Sequence, residues 1–554
     1  MKLNGSQIIM EVLKEQGVDT VFGYPGGAAL NVYDSLYDYS DQIHHILTAH
    51  EQGASHAADG YSRSTGKTGV VFATSGPGAT NLVTGLATAF LDSVPMVAIT
   101  CNVTDDSIGR DAFQEVSITG VTLPITKHNF FVNKIENLAD AIRQAFRIAN
   151  EGRKGPVLID ITKDVTALNN TYEYTKQEPV ALKPNPSIDP TKIDAILETI
   201  KLSKKPVVYF GGGVTSSQAK EELNEFLKRL DAPATYTLMG AGVLNFEDPK
   251  NLGLIGMHGS MLANQAIDQA DLVFALGTRF SDRVALNPNQ FAKRAAIVHV
   301  DIDESEINKN VVINFDVVAD IKDFLKAILE KLDQQDHSDW IEHLKQYKKF
   351  IDVSVQEATI RPRDIIEATC DLTDKETIYV TDVGQHQMWA AQYLKHEKAE
   401  NFLTSGGLGT MGYGYGAAIG AQAGNPEKRV IHFTGDGSFH MNLNEACTAV
   451  SNKLPIITII FDNKVLGMVY QWQTVFYNKH YSQTIPGRKT DYVQLAKGFG
   501  AKGFEVNTLE EFKNAFQQAL KEKGPVWIAC NIAKEERVLP MIPNGGTIDD
   551  MIIK

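Results

Sequence analysis

Two oxygen donors stand at the ends of successive β-type runs in GDGSFHMNLNEACTAVSNKLPIITIIFDN, residues 435–463. Asp436 follows RVIHFT and Asn463 closes LPIITIIFDN; both runs are rich in the β-branched residues of buried parallel strands. Hard oxygen ligands suit Mg²⁺, which keeps water and phosphate oxygens in its remaining positions. Gly435 and Gly437 flank the carboxylate and let backbone amides approach a phosphate, and the N-terminus of the following helix favours an anion. The pair reads as a Mg²⁺–diphosphate anchor. The competing reading is a helix cap, a common duty of Asp after a strand. No GxxxxGK[ST] occurs, so the diphosphate does not belong to a P-loop nucleotide.

Other residues invite a chemical and a plain reading side by side. Glu51, in TAHEQGASHAADGYSRSTGK, follows the strand-like HHIL; it is either a working carboxyl group or a solvated first-turn charge. The triple glycine 211–213 after PVVYF is the form of a diphosphate turn, but an unspecific one. Arg283, in RFSDRV, is a fixed cation suited to a carboxylate or an ordinary surface ion-pair partner. The run GGLGTMGYGYGAAIGA signals close helix packing or a loop.

The elements that must position these residues fall into three blocks. Residues 1–165 alternate helical patterns with β-rich runs (GVVFATS, PMVAITC, GPVLIDI), and a polar, proline-bearing linker follows at 166–189. Residues 190–335 repeat the rhythm, 336–359 read as a second, polar connection, and 360–535 repeat it again before a C-terminal tail at 536–554. The expectation is an α/β protein of three doubly wound, mostly parallel-sheet domains, with ligands beyond the carboxyl ends of the strands. The chain has 554 residues, 43% hydrophobic and 22% charged, as in soluble globular proteins. A net charge of −14 argues against nucleic acid as a partner. The four cysteines form no CxxC pair, no signal-peptide pattern opens the chain and no run reaches a membrane span, so a cytoplasmic protein is expected.

GDGSF…FDN resembles the thiamine-diphosphate signature, and the segment around Glu51 resembles the activating-glutamate segment of the same family. The resemblance implies that Asp436, Asn463 and the main-chain carbonyl of Val465 hold Mg²⁺. It implies that Glu51 hydrogen-bonds the coenzyme's aminopyrimidine, so that the coenzyme can remove its own thiazolium C2 proton. Further coenzyme contacts implied are Tyr24, Pro25, Gly26, Pro77 and Asn81; Val383, Gly384, Gln385 and His386; and Gly409, Gly437, Ser438, Leu466, Gly467, Met468 and Val469. Met411 is the matching wedge that bends the coenzyme. Because Glu51 and Asp436 lie in different blocks, and the family's coenzyme spans two subunits, a homodimer or tetramer is implied.

A narrower resemblance runs from about residue 4 to 545. VFGYPGGAALNVYD, IGRDAFQE, PITKHNFFV, GPVLIDITKDV, LGTRFSDRV and LGMVYQWQTVFY are similar to the catalytic large subunits of the acetohydroxyacid synthase (acetolactate synthase) family. This implies a transferase that decarboxylates pyruvate and joins the hydroxyethyl unit to a second 2-ketoacid. Pyruvate gives 2-acetolactate and 2-ketobutyrate gives 2-aceto-2-hydroxybutyrate, in branched-chain amino-acid (valine, leucine, isoleucine) biosynthesis. Trp472 would select the acceptor, Arg283 would meet its carboxylate, and Phe113, Gln114 and Lys163 would line the channel. Biosynthetic members carry FAD in the central domain; the matching residues are Gly211, Gly212, Gly213, Thr237, Leu238, His258, Arg279, Arg283, Asp301, Ile302 and Asp320. Such members also bind a small regulatory subunit. Ser281 departs from the family's usual Asp, and Thr104 from its usual Pro. The alternatives are another thiamine-diphosphate enzyme acting on pyruvate (an oxidase, a decarboxylase or a catabolic acetolactate synthase) and a reductase using the glycine turns.

Overall fold

The computed structural model describes residues 1–347, 360–395 and 398–554. Its framework is three six-stranded sheets, every strand pair within them parallel. The first, in spatial order, is His44–Leu47, Thr20–Gly23, Gly69–Ala73, Met96–Asn102, Pro156–Thr162 and His128–Val132. The second is Asn251–Leu254, Ala234–Tyr236, Pro206–Phe210, Leu272–Leu276, Ala296–Asp301 and Phe315–Val318. The third is Phe402–Leu403, Ile378–Thr381, Val430–Gly435, Ile457–Asp462, Val526–Asn531 and Lys502–Val506. The α/β, doubly wound expectation holds, and the sheets are wholly parallel. Parallel strands need helical crossovers, which cover both faces; hence strands such as Pro206–Phe210 and Ile457–Asp462 are buried along their whole length.

In each sheet the chain winds outward in both directions from one central strand pair, and a crevice opens where the winding reverses. The switch falls between Thr20–Gly23 and Gly69–Ala73 in the first sheet, between Pro206–Phe210 and Leu272–Leu276 in the second, and between Ile378–Thr381 and Val430–Gly435 in the third. The residues that immediately follow these pairs are the sequence's short polar and glycine turns: 24–26 and 74–78, 211–213 and 277–279, 382–386 and 436–438.

The first and third sheets are joined through helices Glu51–Thr65 and Tyr413–Gly424. They approach so closely that a Cβ at Gly60 would run into the Ala417 carbonyl, and one at Gly420 into the Ala57 carbonyl. This explains most of the glycine-rich run: its second half is a helix whose small residues let backbones touch. Gly420→Ala is expected to destabilise the fold by about 1–3 kcal/mol, the usual cost of overpacking, read as a fall in the thermal midpoint. An unchanged midpoint would mean the contact is not that tight.

Residues in the 166–189 linker do more than connect. Thr171–Glu173 pairs antiparallel with Lys2–Asn4, and Tyr174 is buried with its hydroxyl on Glu15, which also takes a two-nitrogen bond from Arg143. Of the expected connection at 336–359, Ser338–Leu344 is helical and residues 348–359 lie outside the described residues. Among the described residues no helix is long and apolar enough to cross a membrane.

Candidate active site

The third sheet's switch point gathers the anchor residues. The strand Val430–Gly435 delivers Asp436 as the first residue of helix Asp436–Asn442, with Gly435 at the cap position and no side-chain cap bond. The capping alternative for Asp436 is therefore not the one realised. Its carboxylate is buried at 4% exposure, and burial, with the neighbouring charge of Asp462, pushes its pKa up to about 7. Asp462 is 2% exposed; its Oδ1 has no hydrogen-bond partner, while Oδ2 takes the Lys464 ammonium. Two neighbouring buried carboxylates, one with an unpartnered oxygen, form a cation's environment.

Asn463 is held from two sides. Its Nδ2 donates to Gln385 Oε1 at 3.2 Å, and its Oδ1 accepts from the Val465 amide at 3.1 Å, across Lys464 at φ 61°. Gln385 in turn donates to Gln471 Oε1 and to the Glu536 carbonyl. Gly467 abuts Gln385 Oε1, leaving no room for a Cβ. Gly384, at φ 153°, begins helix Gln385–Tyr393, and a Cβ there would lie 2.8 Å from the His386 ring. Burial lowers the His386 pKa to about 4, so the ring is neutral, and its Nε2 has no partner. A neutral buried donor and a glycine-lined helix N-terminus fit a diphosphate.

Beneath the turn lies Asp382. It accepts from the Gly414 amide (2.8 Å), Thr434 Oγ1 (2.7 Å) and His432 Nε2 (3.2 Å). Burial opposes its charge, but His432 and the Gly414 amide take its pKa down to about 2. Ser438 Oγ accepts from the Gly412 amide, and Asn442 donates to the Gly412 carbonyl, which fixes the Met411 loop against the Asp436 helix.

The first sheet's switch point gathers the other set. Glu51 opens helix Glu51–Thr65 at 8% exposure, and Asn81 Nδ2 donates to its Oε2 at 2.9 Å. It is not a solvated first-turn charge. Gly76 has φ 56° and packs against Gln114, whose own φ is 62°. Tyr24, Pro25 and Pro77 are exposed at the mouth, Gly26 lies on Thr74, and Lys163 is half-buried at the end of Pro156–Thr162. Phe113 projects at 87% exposure.

A cavity of about 1160 Å³ opens where the second and third sheets meet residues 91–93 and 150–154 of the first block. Its walls include Gly212, Gly213, Thr237, Leu238, His258, Arg279, Arg283, Asp301, Ile302 and Asp320, together with Val383, Gly384, Gly409, Met411, Met468 and Trp472. Gly211 stands just outside it, its Cβ position 2.7 Å from the Gly277 carbonyl. His258 Nδ1 is a buried polar atom without a partner on these walls. Arg283 is largely exposed and its nearest anion is Asp282 at 3.6 Å. Trp472 packs on Phe476 and, with Met257 and Leu286, on Leu539, Met541 and Ile542 of the C-terminal segment. That segment is tied down: Val538 exchanges hydrogen bonds with Gln471, and the Ile542 amide donates to Met257.

None of the Glu51 group lines this cavity. Asp462, Gln471 and Asp382 were not singled out from sequence. Only Asp462 left a signal, a second carboxylate beside Asn463; the other two act through contacts distant in the chain.

Comparison with known proteins agrees with this geometry. Residues 3–121 match the family model described as thiamine pyrophosphate enzyme, N-terminal TPP binding domain; 193–328 match the central domain; and 382–530 match the C-terminal TPP binding domain. The chain is 42% identical over 563 residues to the acetolactate synthase isozyme 2 large subunit of Escherichia coli (strain K12), covering 100% of both chains. It is 40% identical over 564 residues to the acetolactate synthase large subunit of Haemophilus influenzae, covering 100% of this chain and 98% of that one. It is 42% identical over 565 residues to the probable acetolactate synthase large subunit of Methanocaldococcus jannaschii, covering 99% and 95%. With its Asp436–Asn463 pair at one switch point and Glu51 at another, the chain belongs to the acetolactate synthase large-subunit family of thiamine pyrophosphate enzymes.

Proposed function

We propose that this protein is an acetolactate synthase that decarboxylates pyruvate and transfers the two-carbon unit to a second 2-ketoacid, pyruvate or 2-ketobutyrate, for branched-chain amino-acid synthesis in the cytoplasm. The observation that carries the reading is the buried Asp436, its charge opposed by burial and by Asp462, beside Asn463 and the Gly384–His386 turn. Asp436, Asn463 and the Val465 carbonyl would hold Mg²⁺, with the coenzyme's diphosphate between them and the glycine turn. When bound, thiamine diphosphate supplies the electron sink for decarboxylation and carboligation.

The chain's own residues position, dry and protonate. Glu51, oriented by Asn81, holds a proton for the aminopyrimidine of a coenzyme whose diphosphate is anchored by another copy. Residues 1–165 thus act as the pyrimidine-binding domain and 360–535 as the diphosphate-binding domain, in a homodimer or a larger assembly. Arg283 meets the acceptor's carboxylate. The unpartnered His258 nitrogen and the glycine turns of the large cavity fit FAD, which Gly212, Gly213, Thr237 and His258 would help to hold. Three relatives carry the name large subunit, and a small regulatory partner is proposed for this chain as well.

The purified protein should convert pyruvate alone to acetolactate, seen as acetoin after acid treatment, only with thiamine diphosphate and Mg²⁺ added; it should be yellow. Acetyl phosphate or acetaldehyde as the product, or turnover without the coenzyme, would replace this reading. Trp472→Leu should lower the preference for 2-ketobutyrate over pyruvate by about tenfold, within the range a hydrophobic pocket obtains from one methylene. An unaltered product ratio in a mixed-acceptor assay would remove Trp472 from the acceptor site.

A further inference from the structure

Residues 404–413, TSGGLGTMGY, follow the edge strand Phe402–Leu403 and bring Gly409 and Met411 to the cavity wall. With four glycines, two of them at φ 69° and 87°, the segment has few side chains with which to set its own course. Gln387, Ser438 and Asn442 hold it from one side, and two helices of the chain's N-terminal third hold it from the other.

Asp92, at the end of helix Val83–Leu91, has a fully buried side chain. Its two oxygens accept from the Gly406 amide at 3.0 Å and the Gly407 amide at 2.7 Å. Arg63, in the last turn of Glu51–Thr65, donates to Asp92 at 2.8 Å, to Asp59 at 2.6 Å and to the Thr404 carbonyl at 3.0 Å. Asp59 accepts from the Tyr413 hydroxyl at 2.6 Å, and Thr88 shares a 2.8 Å hydroxyl contact with Thr410. The segment is therefore gripped on both sides of Met411, at 404–407 and at 410–413.

We propose that Asp92 and Arg63 are positioning residues for the thiamine coenzyme, acting through the Met411 segment. The inference rests on the reading of Met411 as a coenzyme contact. A buried ion cluster is a poor way to gain stability alone, since well-packed apolar residues of similar volume serve as well or better. Here both carboxylate oxygens bind consecutive backbone amides of one glycine-rich loop. The same helix that presents Glu51 at its first turn presents Arg63 at its last, so one rigid element sets the place of both.

The test is a double-mutant cycle on the full chain: calorimetric titration of thiamine diphosphate with Mg²⁺ into coenzyme-free unaltered protein, Asp92→Asn, Met411→Ala and the double variant. Asp92→Asn should raise the coenzyme's dissociation constant about tenfold and speed hydrogen exchange of residues 404–413; in the Met411→Ala background it should change that constant less than about twofold, because contacting or coupled positions are not additive. Multiplying effects, or an Asp92→Asn protein with unchanged affinity and exchange, would overturn the proposal. Should Asp92→Asn fail to fold, Thr88→Val removes one hydroxyl contact and enters the same cycle, with about a threefold loss expected. Multiplying effects or an unchanged affinity for that variant would overturn the proposal equally. No binding by the unaltered protein would overturn the coenzyme reading itself, and this proposal with it.

Discussion

Glu51→Gln is expected to slow pyruvate turnover by about 10²- to 10⁴-fold, the contribution typical of a positioned acid–base group. The change keeps the side chain's shape and leaves an oxygen for Asn81 Nδ2, now at 2.9 Å from Oε2, so the fold has no reason to change. What it removes is the carboxyl group's ability to exchange a proton with the coenzyme's ring. Affinity for the coenzyme should move only a few-fold, because the diphosphate and Mg²⁺ would be held elsewhere, at Asp436 and Asn463. The measurement is a split: kcat falls and the coenzyme's half-saturation stays put. Slowed exchange of the thiazolium C2 proton for deuterium in the substrate-free enzyme would place the defect before any ketoacid binds. Carboligation at the unaltered rate would end the assignment of Glu51.

Asp436→Ala has the second large effect, and of the opposite kind. Turnover at saturating coenzyme is the lesser quantity; binding is the greater. Breaking a buried charge pair by removing one partner costs about 3–5 kcal/mol, so the dissociation constant for thiamine diphosphate with Mg²⁺ should rise by about two to three and a half orders of magnitude. Stability supplies an independent sign. In metal-free protein the carboxyl's pKa is raised to about 7 by burial and Asp462, so its charge is a cost that appears as pH climbs from the ordinary aspartate range to about 7. Metal-free Asp436→Ala should therefore melt higher than metal-free parent at pH 8, while the parent alone gains from added Mg²⁺ and thiamine diphosphate. Equal gains for both proteins would mean that the cation is not held by Asp436.

Most of the architecture was legible because parallel strands are covered on both faces. Runs such as PVVYF, VIHF and ITIIF are mostly apolar without alternation, each ends on glycine or a polar residue, and the first two stand where the winding reverses. The Asp436 turn, the Gly384 turn and Glu51 could be picked out for the same reason: a strand end is a local event, visible in a few residues. Their chemistry became specific through resemblance, since GDG alone fits a cap more readily than an anchor.

Other features were beyond the linear reading. The linker reads as polar connection, yet Tyr174 of that stretch is buried on Glu15, and Thr171–Glu173 completes a sheet with the first residues of the chain. The tail reads as an appendage, yet Val538 and Gln471 exchange bonds and Trp472 rests on Leu539 and Met541. Asp92 reads as the end of a helix, and its role lies with amides 314 and 315 residues further along the chain.

By itself the sequence determined the sheet type, the turns at the strand ends and the oxygen donors standing on them, because those follow from local burial, glycine conformations and side-chain chemistry. Only the tertiary structure decided that Asp436 is a buried charge rather than a cap, that Glu51 is sheltered and oriented by Asn81, and that the Met411 loop is steered by Arg63 and Asp92. Those outcomes depend on desolvation and on hydrogen bonds between remote segments, and neither quantity exists until the chain has folded.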